Sequence, residues 1–441
     1  MRVGLSLKYA ARHALKRQPA VGRRCAGLLA RERDPEAIER RQHVLLARTL
    51  RAAARLPAYA QAARRVPPDG LADYLRDAFP VIDKSALLHR RADYYPNRGQ
   101  PRAWWPVGKT SGTTGTPLDV FRSVDSILWE EAFHLQHWRW TGWRPGERQV
   151  VLRGDLVVPA ARREPPWWVH DRAGEQLILS TRHLSEATVE AFVQAARDFG
   201  ARRLRAYPSA AYEWATLIER RGLVLRLDAV VTGSEPLYPF QRERIEAVFG
   251  ARVHDFYGMA ERVAFAIECE HGGLHVHPEY GLLEIVDANG QPTDGAGSIV
   301  GTTLHNGLMP LIRYRLNDTA RWRRDRCPCG RAYPCIERLT GRTADVLFDL
   351  RGLPVNPTVI SFAFKGLHHI ERAQVAQTAR DRWVVRLVAG KDYSRADGDA
   401  VLGNLGRLVS PDVRASVELV DDIPSLDSGK YKWVSQEWAG Q

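Results

Sequence analysis

Cysteine is scarce in this chain, lysine supplies only 8 of its 64 basic residues, and long apolar runs are missing. Five cysteines in 441 residues are too few and too uneven for a disulfide scaffold, so a reducing, cytoplasmic setting is expected. No stretch approaches the ~20 apolar residues of a membrane-spanning helix. The opening MRVGLSLKYAARHALKR has neither a long apolar core nor a small-residue cleavage site, so no secretory leader is expected. Internal repeats, low-complexity tracts, a Walker A ending and a nucleophile elbow are also lacking. What remains, 44% hydrophobic and 26% charged residues, is an ordinary globular balance that excludes global disorder. At about 150 residues per domain, two or three domains are expected.

The net charge of +13 is not spread evenly. Residues 1–65 carry 16 Lys/Arg against 4 Asp/Glu, and the rest of the chain is close to neutral. Residues 1–65 therefore read as a basic helical N-terminal arm. Val44, Leu45, Leu50 and Leu56 give an apolar stripe at helical spacing. Such an arm suits an anionic lipid face, an acidic polymer or nucleic acid, and equally a plain solvated helix face. Peripheral contact with the inner membrane face is one expectation that follows.

From Phe79 onward the pattern becomes short strands, Gly/Pro turns and helices. The spacing predicts helices over 125–140, 186–199 and 239–249, and strands over 149–152 and 226–231. This alternation predicts an α/β fold with mixed sheets and helices. From Gly341, strands over 383–388 and 416–420 flank two helices, enough for a small α+β C-terminal domain. The expected domains are 66–341 and 342–441.

The most informative run is Thr110-Ser111-Gly112-Thr113-Thr114-Gly115-Thr116-Pro117, in which five of eight residues carry hydroxyls. Hydroxyl donors and backbone N–H groups unshielded by bulk suit phosphate oxygens; a surface loop has the same composition. Five more motifs follow in order: Gly233-Ser234-Glu235-Pro236, Asp255-Phe256-Tyr257-Gly258-Met259-Ala260-Glu261, Arg313-Tyr314-Arg315-Leu316-Asn317-Asp318, Gly341-Arg342-Thr343-Ala344-Asp345 and Ser428-Gly429-Lys430. The ordered set resembles the acyl-adenylate-forming (AMP-binding) superfamily, most of all its phenylacetate–CoA ligase branch and CapK-like capsule-biosynthesis relatives. The resemblance runs from about residue 40 to the end.

That resemblance implies an AMP-forming ligase. A carboxylic acid attacks the α-phosphate of ATP, pyrophosphate leaves, and the acyl group passes from acyl-AMP to a thiol such as coenzyme A, or to an amine or hydroxyl. By the same resemblance, Thr110, Ser111, Gly112, Thr113, Thr114 and Gly115 hold phosphates, and Gly233, Ser234 and Glu235 line the adenine slot. Tyr257, followed by Gly258, offers a face for adenine, and Asp318 accepts the ribose hydroxyls. Glu261 binds Mg²⁺. Arg342 lies at a hinge before a mobile domain, and Lys430 neutralises charge in the adenylation step. Tyr207 stands beside the acyl pocket. Two departures stand out. Ala260 replaces the usual Ser/Thr before the glutamate, and Ala344 replaces the first Asp of the hinge. Dimers of the branch extend to this chain as a homodimer expectation.

Four of the five cysteines fall between 269 and 335. Thiolate and imidazole at Gly-flanked turns suit a closed structural Zn²⁺ site. The chosen ligands are Cys269, His275, Cys327 and Cys329, with His271 and Cys335 as competitors and reduced buried thiols as the alternative. Members of the resembled branch carry such a site. A competing reading of the whole chain is a binding protein that uses the basic arm and zinc loops to engage nucleic acid or an anionic polymer. Retention of Tyr257, Glu261, Asp318 and Lys430 together favours the enzyme.

Overall fold

The computed structural model describes residues 18–100, 102, 104–110, 118–153, 157–159, 161–172, 174–337, 347–350, 354–355, 360, 363–364, 367, 369–409, 413–424 and 432–438. Two compact units emerge, each built from two stretches of chain and taken over its described residues. One comprises Met1–Pro145 with Phe256–Leu339, the other Gly146–Asp255 with Thr340–Gln441.

Prolines start the first two helices, where their missing N–H costs nothing: α1 (Pro19–Arg31) and α2 (Pro35–Ala53). The Asp34 carboxylate caps α2 by accepting the Ala37 N–H at 2.9 Å. Over its described residues, 18–65, the basic segment is largely helical and is built into the first unit. Leu45 and Leu50 bury against the core, as does Leu56 after the helix, and each fully buried leucine contributes roughly 1.5–3 kcal/mol. Val44 stands a third of a turn off that face and is 55% exposed.

A hairpin of β1 (Val107–Lys109) and β2 (Asp119–Phe121) shares this core through Leu118, Val120 and Phe121. Ser123 then caps α3 (Val124–Trp140) by accepting the Ser126 N–H. The chain next builds most of the second unit: β3 (Gln149–Arg153), β4 (Trp168–Asp171), β5 (Gln176–Ser180), α4 (Val189–Asp198), β6 (Arg203–Ala206), α5 (Pro208–Arg220), β7 (Ala229–Gly233) and α6 (Pro239–Phe249). Strands β7–β6–β3–β5 are parallel neighbours, with β4 antiparallel at the edge. Their continuous apolar runs fit a sheet buried on both faces. The strand expected from residue 226 begins only at Ala229, because the Leu227 N–H bonds back to the Phe249 carbonyl at the end of α6.

Strand β8 (Arg252–Gly258) carries the chain into the first unit. There follow β9 (Phe265–Glu268), β10 (Leu274–Val276), β11 (Gly281–Val286), β12 (Gly297–Thr303), β13 (Tyr314–Trp322) and β14 (Cys335–Glu337), in sheet order β11–β12–β13–β14–β10–β9–β8 and antiparallel.

In the second unit, β15 (Leu347–Phe348) and β16 (Pro354–Val355) precede a small sheet of β17 (Ile370–Ala379), β18 (Arg382–Ala389), β19 (Arg414–Leu419) and β20 (Val434–Gln436), in order β19–β18–β17–β20. Helix α7 (Arg395–Leu408) packs Val401 and Leu405 against Val375, Trp383 and Leu387. The class is α/β with a large mixed-sheet part and a smaller C-terminal α+β part, as expected from the sequence.

Candidate nucleotide and metal sites

Strand β13 departs from regular pairing where its acidic residue sits. Ser298 stands opposite Thr319 and Val300 opposite Arg315, so residues 316–318 face Ile299 alone. Such a bulge re-aims side chains and is common beside active sites. Asp318 lies in this bulge, and its Oδ2 accepts the Tyr257 hydroxyl of β8 at 2.7 Å. The two residues assigned to adenine and ribose are therefore joined.

Past Gly258 the chain turns sharply through Met259, Ala260, Glu261 and Arg262. The Arg262 N–H bonds the Met259 carbonyl at 3.1 Å, and Arg262 itself has a left-handed φ of +57°. Tyr314 donates to Glu261 Oε1 at 3.4 Å, and burial, then the Glu261 charge, pushes its phenol well above the ordinary range. Arg262 anchors the turn to the start of α3, donating to the Ser126 carbonyl and hydroxyl at 3.1 Å each and pairing with Glu130 at 3.4 Å. Burial alone would raise the Glu130 pKa; Arg262, His134 and the Tyr280 hydroxyl outweigh it and hold the carboxyl far below its usual range.

Thr110 closes the base of the phosphate-type run. Its N–H bonds the Leu118 carbonyl at 3.0 Å and its hydroxyl accepts the Leu118 N–H at 2.9 Å. Ser111, Gly112, Thr113, Thr114 and Gly115 lie outside the described residues, as do Arg342, Ala344 and Lys430.

In the second unit, the carboxyl ends of three parallel strands bring another group together, the usual place for a ligand in such a sheet. Arg153, ending β3, donates to the Ser234 hydroxyl at 3.0 Å and lies 4.8 Å over the Tyr207 ring. Ser234 follows Gly233 with φ +73°. Glu235 accepts the Ser209 N–H at 3.2 Å in the first turn of α5, where a helix favours negative charge. A cavity of about 370 Å³ in this unit is lined by Ser209, Tyr212, Phe240, Arg372 and Trp433 among others; Tyr207 is not among its lining residues.

The cysteine cluster is compact. Cys269 and Cys327 each open a turn closed by a left-handed glycine, Gly272 at φ +77° and Gly330 at φ +72°. Backbone N–H groups of His271 and Arg331 point at the sulfurs of Cys269 and Cys329, at 3.3 and 3.5 Å. Cys269 Sγ lies 3.5 Å from Cys327 Sγ, and Cys329 Sγ lies 3.3 Å from His275 Nε2. The other ring nitrogen, Nδ1, donates to the Tyr333 carbonyl at 2.9 Å, which fixes the tautomer and leaves the Nε2 lone pair facing the sulfurs. Burial lowers the His275 pKa, keeping the ring neutral. A β-carbon at Gly273 would sit 2.8 Å from Cys327 Sγ and 3.1 Å from His275 Nε2, so only glycine leaves the space clear. The four candidate ligand atoms all lie within 4.8 Å of one another. Edges of roughly 3.3–3.8 Å are what three thiolates and an imidazole around zinc require, so the donor set fits a closed tetrahedral site. His271 contributes only its backbone N–H, and Cys335, 3.4 Å from Nδ1, lies beside Cys327 at the edge of the four-donor group.

Residues 347–437 match the family CapK C-terminal domain. Protein CapK of Staphylococcus aureus is 22% identical over 74% of this chain and 72% of its own length. The phenylacetate-coenzyme A ligase of Pseudomonas putida is 30% identical over 57% of each chain, less than two thirds of that enzyme. Together these matches support an AMP-forming ligase of the phenylacetate–CoA ligase/CapK branch. The chain's fold is similar to that of 2-hydroxyisobutyryl-CoA ligase, with a TM-score of 0.69, 21% identity and coverage of 92% of this chain and 90% of that one.

Several residues around these candidate sites carry no motif. Arg122, Glu130, Arg153 and Arg262 were not legible beforehand, because an arginine in an arginine-rich chain gives no pattern until its partners are known. The glycines that close the cysteine turns, by contrast, are visible in the sequence after Cys269 and Cys327.

Proposed function

We propose that this ligase activates a carboxylic acid with ATP, forming acyl-AMP and pyrophosphate, and then passes the acyl group to the thiol of coenzyme A. The observation that carries the reading is the Tyr257–Asp318 hydrogen bond, with Glu261 on the turn that follows Tyr257. Asp318 would hold the ribose, Tyr257 the adenine face, and Gly233, Ser234 and Glu235 the base edge. Thr110 and residues 111–115 would take the phosphates. Glu261 suits Mg²⁺, a hard cation bound by one or two carboxylates and substrate phosphates, which neutralises phosphate charge. Lys430, on a C-terminal domain that moves at the hinge containing Arg342, would stabilise the charge building on carboxylate and α-phosphate. Tyr207, held by Arg153, would border the acid. The names of the phenylacetate-coenzyme A ligase relatives support an acid substrate and a coenzyme A acceptor. Zn²⁺ held by Cys269, His275, Cys327 and Cys329 would pin two loops without touching substrate.

ATP–pyrophosphate exchange across a panel of aryl, hydroxy and fatty acids tests the reading. Exchange dependent on one class of acid is expected. A folded, metal-replete chain silent with every acid, and unable to bind Mg·ATP, would overturn it.

A further inference from the structure

The ligase reading leaves open what holds the Glu261 turn at a fixed place relative to the phosphate hairpin. The residue before the glutamate is Ala260, without the hydroxyl usual there, yet its backbone is captured. Arg122, one residue past the end of β2, donates Nη2 to the Ala260 carbonyl at 3.0 Å. It does so from the hairpin whose far end is closed by Thr110 and Leu118. The guanidinium crosses directly over Gly108 of β1, where a β-carbon would lie 2.0 Å from Nη2. Arg262 holds the other flank of the same turn through Ser126 and Glu130. Glu261 thus stands between two residues that are tied down by separate guanidiniums.

Resting on the proposed ligase activity, we propose that Arg122 is a positioning residue for the Mg²⁺–nucleotide: it locks the Ala260–Glu261 turn to the phosphate hairpin, and Gly108 is glycine to let it through. Arg122 touches neither substrate nor metal in this role. Its effect therefore belongs to the affinity for Mg·ATP rather than to the affinity for the acid.

The test uses the full-length chain and three variants: Arg122→Ala, Arg122→Lys and Gly108→Ala. The last keeps every charge and displaces only the far end of a flexible side chain. Pyrophosphate exchange is measured against Mg·ATP and against the acid, and amide hydrogen exchange is followed over 259–263 without nucleotide. Loss of a charged hydrogen bond predicts an increase of about tenfold in KM for Mg·ATP in Arg122→Ala, with the KM for the acid unchanged. Gly108→Ala should match it, Arg122→Lys should recover part of the loss, and the Arg262 amide should exchange faster in Arg122→Ala and Gly108→Ala. Unchanged Mg·ATP dependence together with unchanged exchange of that amide would overturn the proposal. A wild-type chain that neither binds Mg·ATP nor exchanges pyrophosphate would remove the ligase reading instead, and this inference with it.

Discussion

The phenol of Tyr257 and the carboxylate of Asp318 meet at 2.7 Å although 61 residues separate them in the chain. The contact lies at the β13 bulge, where residues 316–318 face Ile299 alone. A carboxylate held by a phenol is oriented before any ribose arrives, which lowers the entropy lost on binding.

Removing that donor should therefore weaken ATP more than acid. Tyr257→Phe is expected to raise the KM for ATP by up to about tenfold, the effect of one charge-assisted hydrogen bond. Asp318→Asn, which alters the acceptor itself, should cost more. Initial rates of pyrophosphate exchange at varied ATP decide the matter, and a Tyr257→Phe enzyme with wild-type ATP dependence would show that the bond has no part in nucleotide binding.

Lys430 lies outside the described residues, and its role is the one the resemblance implies. Loss of one preorganised cation at a transition state costs on the order of 10²–10³ in rate. Lys430→Ala should slow acyl-AMP formation by that factor and leave thioester formation from supplied acyl-AMP far less affected. Near wild-type adenylation in the variant would exclude Lys430 from the step.

Fold class was legible because it depends on local pattern. A continuous apolar run gave β3 and an amphipathic one α6, and Tyr257, Glu261 and Asp318 sit in short motifs that can be read in order along the chain. The long helix of the basic segment was also legible, from Leu45 and Leu50, although Val44 of the same stripe is exposed and Leu56 lies past the helix. Its place in the first unit was not legible, because charge is visible in sequence and a packing partner is not. Arg24 of α1 reaches Asp125 at 2.6 Å across 101 residues, and nothing near Arg24 announces it. The same holds for Arg122, whose purpose is evident only once Gly108 and Ala260 lie on either side of its guanidinium.

The cysteine cluster makes an elemental prediction. Purified protein should contain about one zinc per chain, and Cys327→Ser should lower both zinc content and thermal stability, because the site closes on protein ligands alone. Cys335→Ser, at a sulfur outside the four-donor group, should keep the metal. Less than about a tenth of an equivalent of zinc would reduce the cluster to buried thiols, whatever the stability data show.

Close backbone approach around Val263 gives a sharper steric test. A β-carbon on Gly281 would lie 2.1 Å from the Val263 carbonyl oxygen, and one on Gly301 would lie 2.7 Å from it. Since the obstacle is backbone, Gly281→Ala must shift the segment two residues beyond Glu261. A loss of ~1–3 kcal/mol in stability is expected for such overpacking, along with a weaker Mg·ATP response. Denaturant melts and exchange kinetics on the same preparation read both effects, and an alanine variant normal in each would mean that the loop yields freely.

Acid sensitivity should trace in part to one imidazole. His305 is buried against Trp129, with ring centroids 4.4 Å apart, and one ring nitrogen bonds the Glu279 carbonyl at 2.6 Å. Burial drives its pKa down to about 3, only partly countered by that carbonyl. In the unfolded chain the same group titrates near 6.5. The native state thus binds fewer protons between these values, and stability present above pH ~6.5 is lost as pH falls toward 3. By pH 5 the group's share of that loss approaches about 2 kcal/mol. His277, buried and likewise lowered to about 3, adds to the same limb. His305→Gln, which removes the titration and keeps a donor for the Glu279 carbonyl, should therefore reduce the slope without abolishing it. Urea denaturation at a series of pH values measures the difference, and identical pH slopes in the two proteins would mean that His305 takes up its proton without unfolding the chain.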